Sequence, residues 1–320
     1  MRKSVEVSLA IAGAPAEGER EILALTSTIA TIAELIWTHP ANKGRRIRTL
    51  GYSTAWQLYK RTVRRPIDIR AFGLKFRCHS DSGDASRMIY FSGLPDPHEM
   101  LFLQRYLRPG DAAIDAGANV GVYTLLMASL VGTDGRVLAF EPADKAFAYL
   151  TMNVEMNDLR QVALRKAAIA DFRGTADFNQ GEDEANALSS LRESPLGRHP
   201  VDVVTLDSEI AERSYAVCKI DVEGAEFAAL KGAEASLRMA NPPVLLLELT
   251  NRTLMRSGRS VEEVKSWLKQ RGYELWTYVP DANLLERWVE RPRKPGQVGD
   301  AIAIATSRLE AVRSRLRGTS

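Results

Sequence analysis

Two hydrophobic rhythms organise this chain. From Glu19 to Trp37 apolar residues recur at helical spacing (Ile22, Leu25, Ile29, Ile32, Ala33, Ile36), which predicts an amphipathic helix, and a second helix is expected over Ser53 to Arg64. Segment 66–79 alternates on both sides of Phe72-Gly73 (Ile67, Ile69, then Leu74, Phe76, Cys78) and reads as a hairpin. Pro95-Asp96-Pro97 starts a helix that runs through Leu107 and is ended by Pro109-Gly110. Beyond that point strand and helix alternate. Strands are expected at 112–116, 136–141, 162–169, 201–206, 216–221, 244–249, 273–279 and 300–305, and helices at 120–130, 143–157, 224–238 and 261–271. This alternation predicts an α/β fold with a mainly parallel, doubly wound sheet whose ligands collect at the carboxyl ends of the strands. The polar segment 179–200 breaks the beat and reads as a surface loop or a lid. The expected organisation is a helical N-terminal extension (1–65), a main domain (66–306, with 66–110 as entry hairpin and helix and 111–306 as core) and a basic tail (307–320).

Composition narrows the class. A hydrophobic content of 45% and a charged content of 26% are ordinary for a globular protein. The 43 basic and 40 acidic residues leave +3, too little to argue for nucleic acid, although basic clusters (Lys43, Arg45, Arg46, Arg48; Lys60, Arg61, Arg64, Arg65) mark the extension. Cys78 and Cys218 lack metal-ligand spacing and fit a reducing compartment. No apolar run reaches the ~20 residues that span a bilayer, and Glu6 interrupts any leader-like stretch, so a cytoplasmic location is expected.

The candidate chemistry begins at Asp115–Gly121, D-A-G-A-N-V-G, where a strand passes through a glycine turn (Gly117, Asn119, Gly121) into an apolar helix. Glycines let a cofactor approach the backbone, and the helix start favours an anionic group. Asp115 would repel a pyrophosphate and attract the ammonium of a methionine-like cofactor, which favours S-adenosylmethionine over NAD. Glu141, 20 residues after Gly121, ends the second strand, where a carboxylate can accept both ribose hydroxyls. Asp171 follows the third strand and reads either as an adenine acceptor or as a turn residue.

Further acids sit at later strand ends. Lys219, Asp221 and Glu223 alternate, so all three could face one way, as an ion pair or as working groups. Glu248 closes an apolar strand with Asn251 three residues on. Asp221, Glu248 and Asn251 are hard oxygen donors suited to Mg²⁺. Asn241-Pro242-Pro243 precedes a strand and reads as a loop. Of the scattered histidines (His39, His79, His98, His199), His199 is the best placed to act as a base.

Six blocks together resemble the FkbM-like S-adenosylmethionine-dependent methyltransferases. They are R-P-G-D at 108–111, D-A-G-A-N-V-G-V-Y-T at 115–124, F-E-P at 140–142, V-T-L-D at 204–207, K-I-D-V-E-G-A-E at 219–226 and L-E-L at 247–249. The resemblance implies a Rossmann-like class I methyltransferase fold and methyl transfer from S-adenosyl-L-methionine, commonly to a hydroxyl. A small molecule, sugar or glycan is the expected acceptor. Asp115, Gly117, Asn119, Gly121, Glu141 and Asp171 are the expected cofactor residues. Asp221, or Glu223 or Glu248, is the expected base or metal ligand, with Lys219 orienting it. The strand-end acids also look like those of metal-dependent catechol-type O-methyltransferases. Two rival readings are an NAD-dependent oxidoreductase, from the glycine turn and distant acid, and a nucleic-acid-binding protein using the basic N-terminal region.

Overall fold

A computed structural model describes residues 37, 44, 46–63, 65–79, 96–179, 187–188, 200–210, 214–290 and 300–318. All but Trp37 of the helix expected at 19–37, together with His39, His199 and most of segment 179–200, lies outside the described residues. Helix α1 (Arg46–Thr62) starts earlier than expected and leads to a hairpin of β1 (Ile67–Ala71) and β2 (Leu74–Cys78). The hairpin turns on Phe72 and Gly73, both at positive φ (56° and 78°).

The core follows in chain order: α2 (Pro97–Tyr106), β3 (Ala112–Ala116), α3 (Val122–Val131), β4 (Arg136–Phe140), α4 (Asp144–Glu155) and β5 (Val162–Arg165). Next come β6 (Ala168–Ile169), β7 (Gly174–Asn179), β8 (Ala187–Leu188), β9 (Pro200–Val204), α5 (Leu206–Ile210), β10 (Val217–Ile220), α6 (Glu226–Lys231) and β11 (Val244–Glu248). The chain ends with α7 (Asn251–Leu254), α8 (Val261–Gln270), β12 (Tyr273–Val279), β13 (Leu284–Arg287), β14 (Asp300–Ala305) and α9 (Leu309–Arg317). The central sheet runs β13-β12-β14-β11-β10-β3-β4-β5. Strands β11 to β5 are mutually parallel, and β14 is antiparallel to both of its neighbours. This is the expected doubly wound α/β sheet. Strand order reverses between β3 and β10, which places the ligand crevice of such sheets beside these two strands.

The two faces of the sheet carry separate cores. One packs α2, α3, α4, α9 and the hairpin through residues such as Phe102, Leu125, Leu150 and Val312; the other packs α5, α6 and α8 through Leu206, Leu230 and Val264. Along β3, Ala113 belongs to the first core and Ile114 and Ala116 to the second; along β10, Val217 belongs to the first and Cys218 and Ile220 to the second. Period-two alternation therefore sends Asp115 and Lys219 toward the face that carries α2 and α3, and they are register partners.

Two expected elements are broken, each for a visible reason. The strand expected at 162–169 turns at Lys166, where the Ala167 N–H donates to the Arg165 carbonyl (3.0 Å), and β6 then joins β9, β7 and β8 in a separate sheet. The helix expected over 224–238 stops at Lys231 and resumes as a 3₁₀ turn at Ser236–Arg238. There the Asp207 carboxylate accepts the Ala235 and Ser236 N–H groups (2.8 and 2.9 Å). Among the described residues, no helix is long and apolar enough to cross a membrane.

Candidate functional site

The turn that leaves β3 is built from three left-handed residues, Gly117, Asn119 and Gly121 (φ 86°, 49° and 96°). Its amides at Gly117 and Ala118 donate to the Phe140 carbonyl (3.0 and 2.8 Å), which fixes the turn to the end of β4. A Cβ on Gly117 would stand 1.8 Å from the Asp221 carbonyl oxygen, and one on Gly121 would stand 2.8 Å from a Leu150 methyl. These two glycines therefore let the turn close down on β10 and α4. Glu141 clamps the turn from the next strand: its Oε2 accepts the Asn119 N–H (2.8 Å) and its Oε1 the Ala143 N–H (2.9 Å). Burial pushes its carboxyl up to about 7 against those two amides. Each oxygen retains a further lone pair, so the clamp keeps capacity for hydroxyl donors.

Asp115, expected to meet the cofactor's ammonium, is enclosed beneath the turn with no exposed surface. Its Oδ2 accepts the Thr124 hydroxyl (2.6 Å), whereas its Oδ1 has no hydrogen-bond partner among the described residues. Burial raises its pKa, opposed first by Lys219. Asp171 is exposed and pairs with Lys231 (3.1 Å), which matches the turn reading of that residue.

Across the crevice, β10 ends in Lys219 and Ile220. The Lys219 ammonium, almost fully buried, donates to Asp221 Oδ2 (2.7 Å) and lies 4.4 Å from the centre of the Tyr123 ring. Burial works against its charge, but Asp221 and then Asp115 outweigh it and raise its pKa. Glu223 sits on a left-handed residue (φ 51°) and pairs with Arg256 (3.0 Å), not with Lys219. Burial, then Asp221, pushes its pKa up. The turn still brings carboxylate oxygens of Asp221, Glu223 and Glu248 within 4.8 Å of one another.

Those three acids are an oxygen donor set that could hold a divalent ion. Lys219 and Arg256 already pair with two of them, Asp221 and Glu223. The expected third metal ligand, Asn251, is already hydrogen-bonded: its Oδ1 accepts the Val261 N–H (3.0 Å) and its amide donates to Glu290 (3.0 Å). Its oxygen keeps a second lone pair.

Several site groups escaped sequence reasoning. The Tyr123 hydroxyl stands 2.8 Å from Glu99 Oε2 and 3.0 Å from Asp96 Oδ2, both at the start of α2. Burial, then Asp96, pushes the Glu99 carboxyl up to about 8. Glu226, fully buried, accepts the Gly224 N–H (2.9 Å) through Oε1, while its Oε2 has no partner among the described residues. Tyr123, Thr124 and Glu226 lie inside recognised motif blocks, so position within a motif was the available signal. For Glu99 there was none, because an acid in a first helical turn is ordinary capping chemistry. Of the described histidines, His79 stacks on Tyr149 (3.6 Å between ring centres) and His98 Nδ1 meets the Tyr278 carbonyl (3.1 Å).

The chain is 31% identical to the 31-O-demethyl-FK506 methyltransferase FkbM of Streptomyces tacrolimicus, the match covering 40% of this chain and 61% of that protein. It is 29% identical to Methyltransferase 1 of Beauveria bassiana, covering 39% of this chain and 60% of that protein. The chain thus spans about three fifths of the length of the curated relatives it matches. The crystal structure of methyltransferase FkbM from Methylobacillus flagellatus aligns with 13% identity and a TM-score of 0.41, covering 80% of this chain and 60% of that one. The family model described as the methyltransferase FkbM domain matches residues 115–275, from the acid before the glycine turn to the middle of β12 and just over half of the chain, which therefore belongs to the FkbM methyltransferase domain family.

Proposed function

We propose that this protein transfers a methyl group from S-adenosyl-L-methionine to a hydroxyl of a small molecule, sugar or glycan, with Asp221 receiving the hydroxyl proton. One observation carries the reading. The glycine turn and Asp221 are built as a single unit, with the Asp221 carbonyl oxygen occupying the space where a Gly117 side chain would begin (1.8 Å). A cofactor held by the turn would thus lie against the residue that carries the Asp221 carboxylate.

The residues fit that cofactor. The turn offers backbone without side chains, Glu141 retains lone pairs for a ribose diol, and the unpartnered Asp115 Oδ1 gives negative potential beneath the turn. The cofactor supplies a methyl electrophile on a sulfonium, so the protein's task is in-line alignment and removal of one proton. Asp221 is half-exposed and faces the rim, where an acceptor hydroxyl can reach it. Lys219 holds one oxygen of that carboxylate and leaves the other for the acceptor. Asp221 would take the proton that an acceptor hydroxyl gives up as its oxygen becomes the nucleophile. The Streptomyces relative, whose name describes an acceptor lacking its 31-O-methyl group, supports an oxygen acceptor. The NAD reading has no comparable support.

Calorimetry with S-adenosylmethionine, followed by incubation of the labelled cofactor with sugars, glycans and hydroxylated small molecules, tests the proposal. Binding with label transfer is expected, and Asp221→Asn should retain binding while losing at least a hundredfold in turnover. Absence of cofactor binding, or full turnover by Asp221→Asn, would overturn it.

A further inference from the structure

Hydrogen counting at Tyr123 does not close with all groups in their ordinary states. Its hydroxyl has one proton to give, yet carboxylate oxygens of Glu99 and Asp96 stand 2.8 and 3.0 Å away. Were both ionised, one would set a lone pair against a lone pair of the tyrosine oxygen. The geometry closes when one carboxyl carries a proton, donating it to the tyrosine oxygen while Tyr123 donates to the other. Glu99 is the buried one, 5% exposed, whereas Asp96 is only half-buried; burial disfavours the anion, so the proton belongs to Glu99. The face of the same tyrosine ring carries the Lys219 ammonium at 4.4 Å, and that ammonium is the partner of Asp221.

We propose that Glu99 is a positioning residue for the Lys219–Asp221 pair: while it holds its proton, Lys219 is committed to Asp221, and when it loses the proton it becomes a further anion competing for the same ammonium. This inference rests on the reading that Asp221 serves methyl transfer. The charged and titratable groups that face Glu99 are Asp96 on its own helix, Tyr123 on α3, and Lys219 and Asp221 at the end of β10, with Asp115 beyond Lys219. From the elements packed on the rest of α2, Arg308 and Arg315 meet the helix at Tyr106, about two turns from Glu99, and the Tyr278 carbonyl meets His98. The Glu99 Oε1 has no hydrogen-bond partner among the described residues, so the ionised form has no second donor waiting except the lysine. The carboxyl is pushed up to about 8 by burial and by Asp96, which places the exchange just above neutrality.

The test uses the full chain with ¹³C-labelled glutamate carboxyls and ¹⁵N-labelled lysine ammonium groups, titrated by NMR between pH 5 and 9.5 (~4.5 units). Glu99→Gln, which keeps the shape and a neutral side chain, assigns the Glu99 signal. The expected result is a glutamate signal with a midpoint near 8, and a Lys219 signal that shifts with the same midpoint in the wild type and stays flat in Glu99→Gln. Tyr123→Phe serves as a second variant: removing the oxygen that accepts the Glu99 proton should shift the midpoint. A Glu99 midpoint near the ordinary 4.5, a Lys219 shift unchanged in Glu99→Gln, or an unmoved midpoint in Tyr123→Phe would each overturn the proposal. Calorimetry of S-adenosylmethionine on the same wild-type sample separates the two readings. A coupled titration without cofactor binding would sink the methyl-transfer reading alone, and binding without the coupling would sink this one.

Discussion

A methyl group on Gly117 would collide with the carbonyl of Asp221, whereas one on Gly110, at the same φ of 86°, would meet nothing within 4 Å. The pair separates two costs that are usually confounded. Gly110→Ala should lose only the left-handed strain, about 1 kcal/mol. Gly117→Ala should add a steric displacement of the β10 end and lose about 3 kcal/mol or more in urea unfolding, together with cofactor binding by calorimetry. Equal losses in both variants would show that the close approach contributes nothing. Glu141 makes a second prediction at this scale. Its ionised form accepts hydroxyl donors best, and burial holds its carboxyl near 7, so cofactor affinity should rise with pH below that point, by up to about tenfold per unit. Glu141→Gln should bind more weakly and lose that dependence between about pH 5.5 and 7; parallel affinity curves for the two proteins would exclude the role.

At the scale of elements, much of the scaffold could be read in advance because local pattern decides it. β3, β12 and β14 occupy the expected residues, and the hairpin turns at Phe72-Gly73. The glycine turn and Glu141 likewise stand together as their spacing implied. The failures lie where distant residues intervene. Gly232 is the one local sign of a break in the stretch 224–238, and the groups that act on it are distant: the Asp207 carboxylate, 28 residues upstream of Ala235, and the Ala170 carbonyl, 2.0 Å from where a Gly232 Cβ would lie. Asp207 belongs to a diagnostic block and yet makes structural contacts. Asp207→Ala should therefore cost about 1–2 kcal/mol in unfolding, by stripping the Ala235 and Ser236 amides of their acceptor, and leave cofactor affinity unchanged. A calorimetric loss of affinity without a loss of stability would instead place Asp207 in the site.

For the molecule as a whole, the burial of acids around one rim predicts an unusual dependence of stability on pH. Glu99, Glu141 and Glu226 have carboxyls raised from 4.5 to about 8, 7 and 7, each chiefly by burial. Below about 4.5 both folded and unfolded chains bind these protons, and the three groups contribute no pH dependence. Between 4.5 and the folded values the unfolded chain has released the protons while the folded chain retains them, so folding takes up protons and stability falls as pH rises. Each group adds a slope of at most about 1.4 kcal/mol per unit, and the loss levels off once the folded values are passed. Lys219 adds no slope in this window, because it is charged in both states. The lowered acids, Asp68 and Glu234 through arginine partners and Glu263 through the Ser260 N–H, act below their ordinary values and favour higher pH only there. Denaturant unfolding should thus give a maximum near pH 5 and a decline toward pH 8, flattened stepwise in Glu99→Gln and Glu226→Gln. Saturating cofactor should restore part of the loss, since hydroxyl donors to Glu141 stabilise its ionised form in the folded state alone. A stability curve that climbs from pH 5 to 8, or that keeps its slope in both variants, would mean that the rim is wetter than its buried geometry implies.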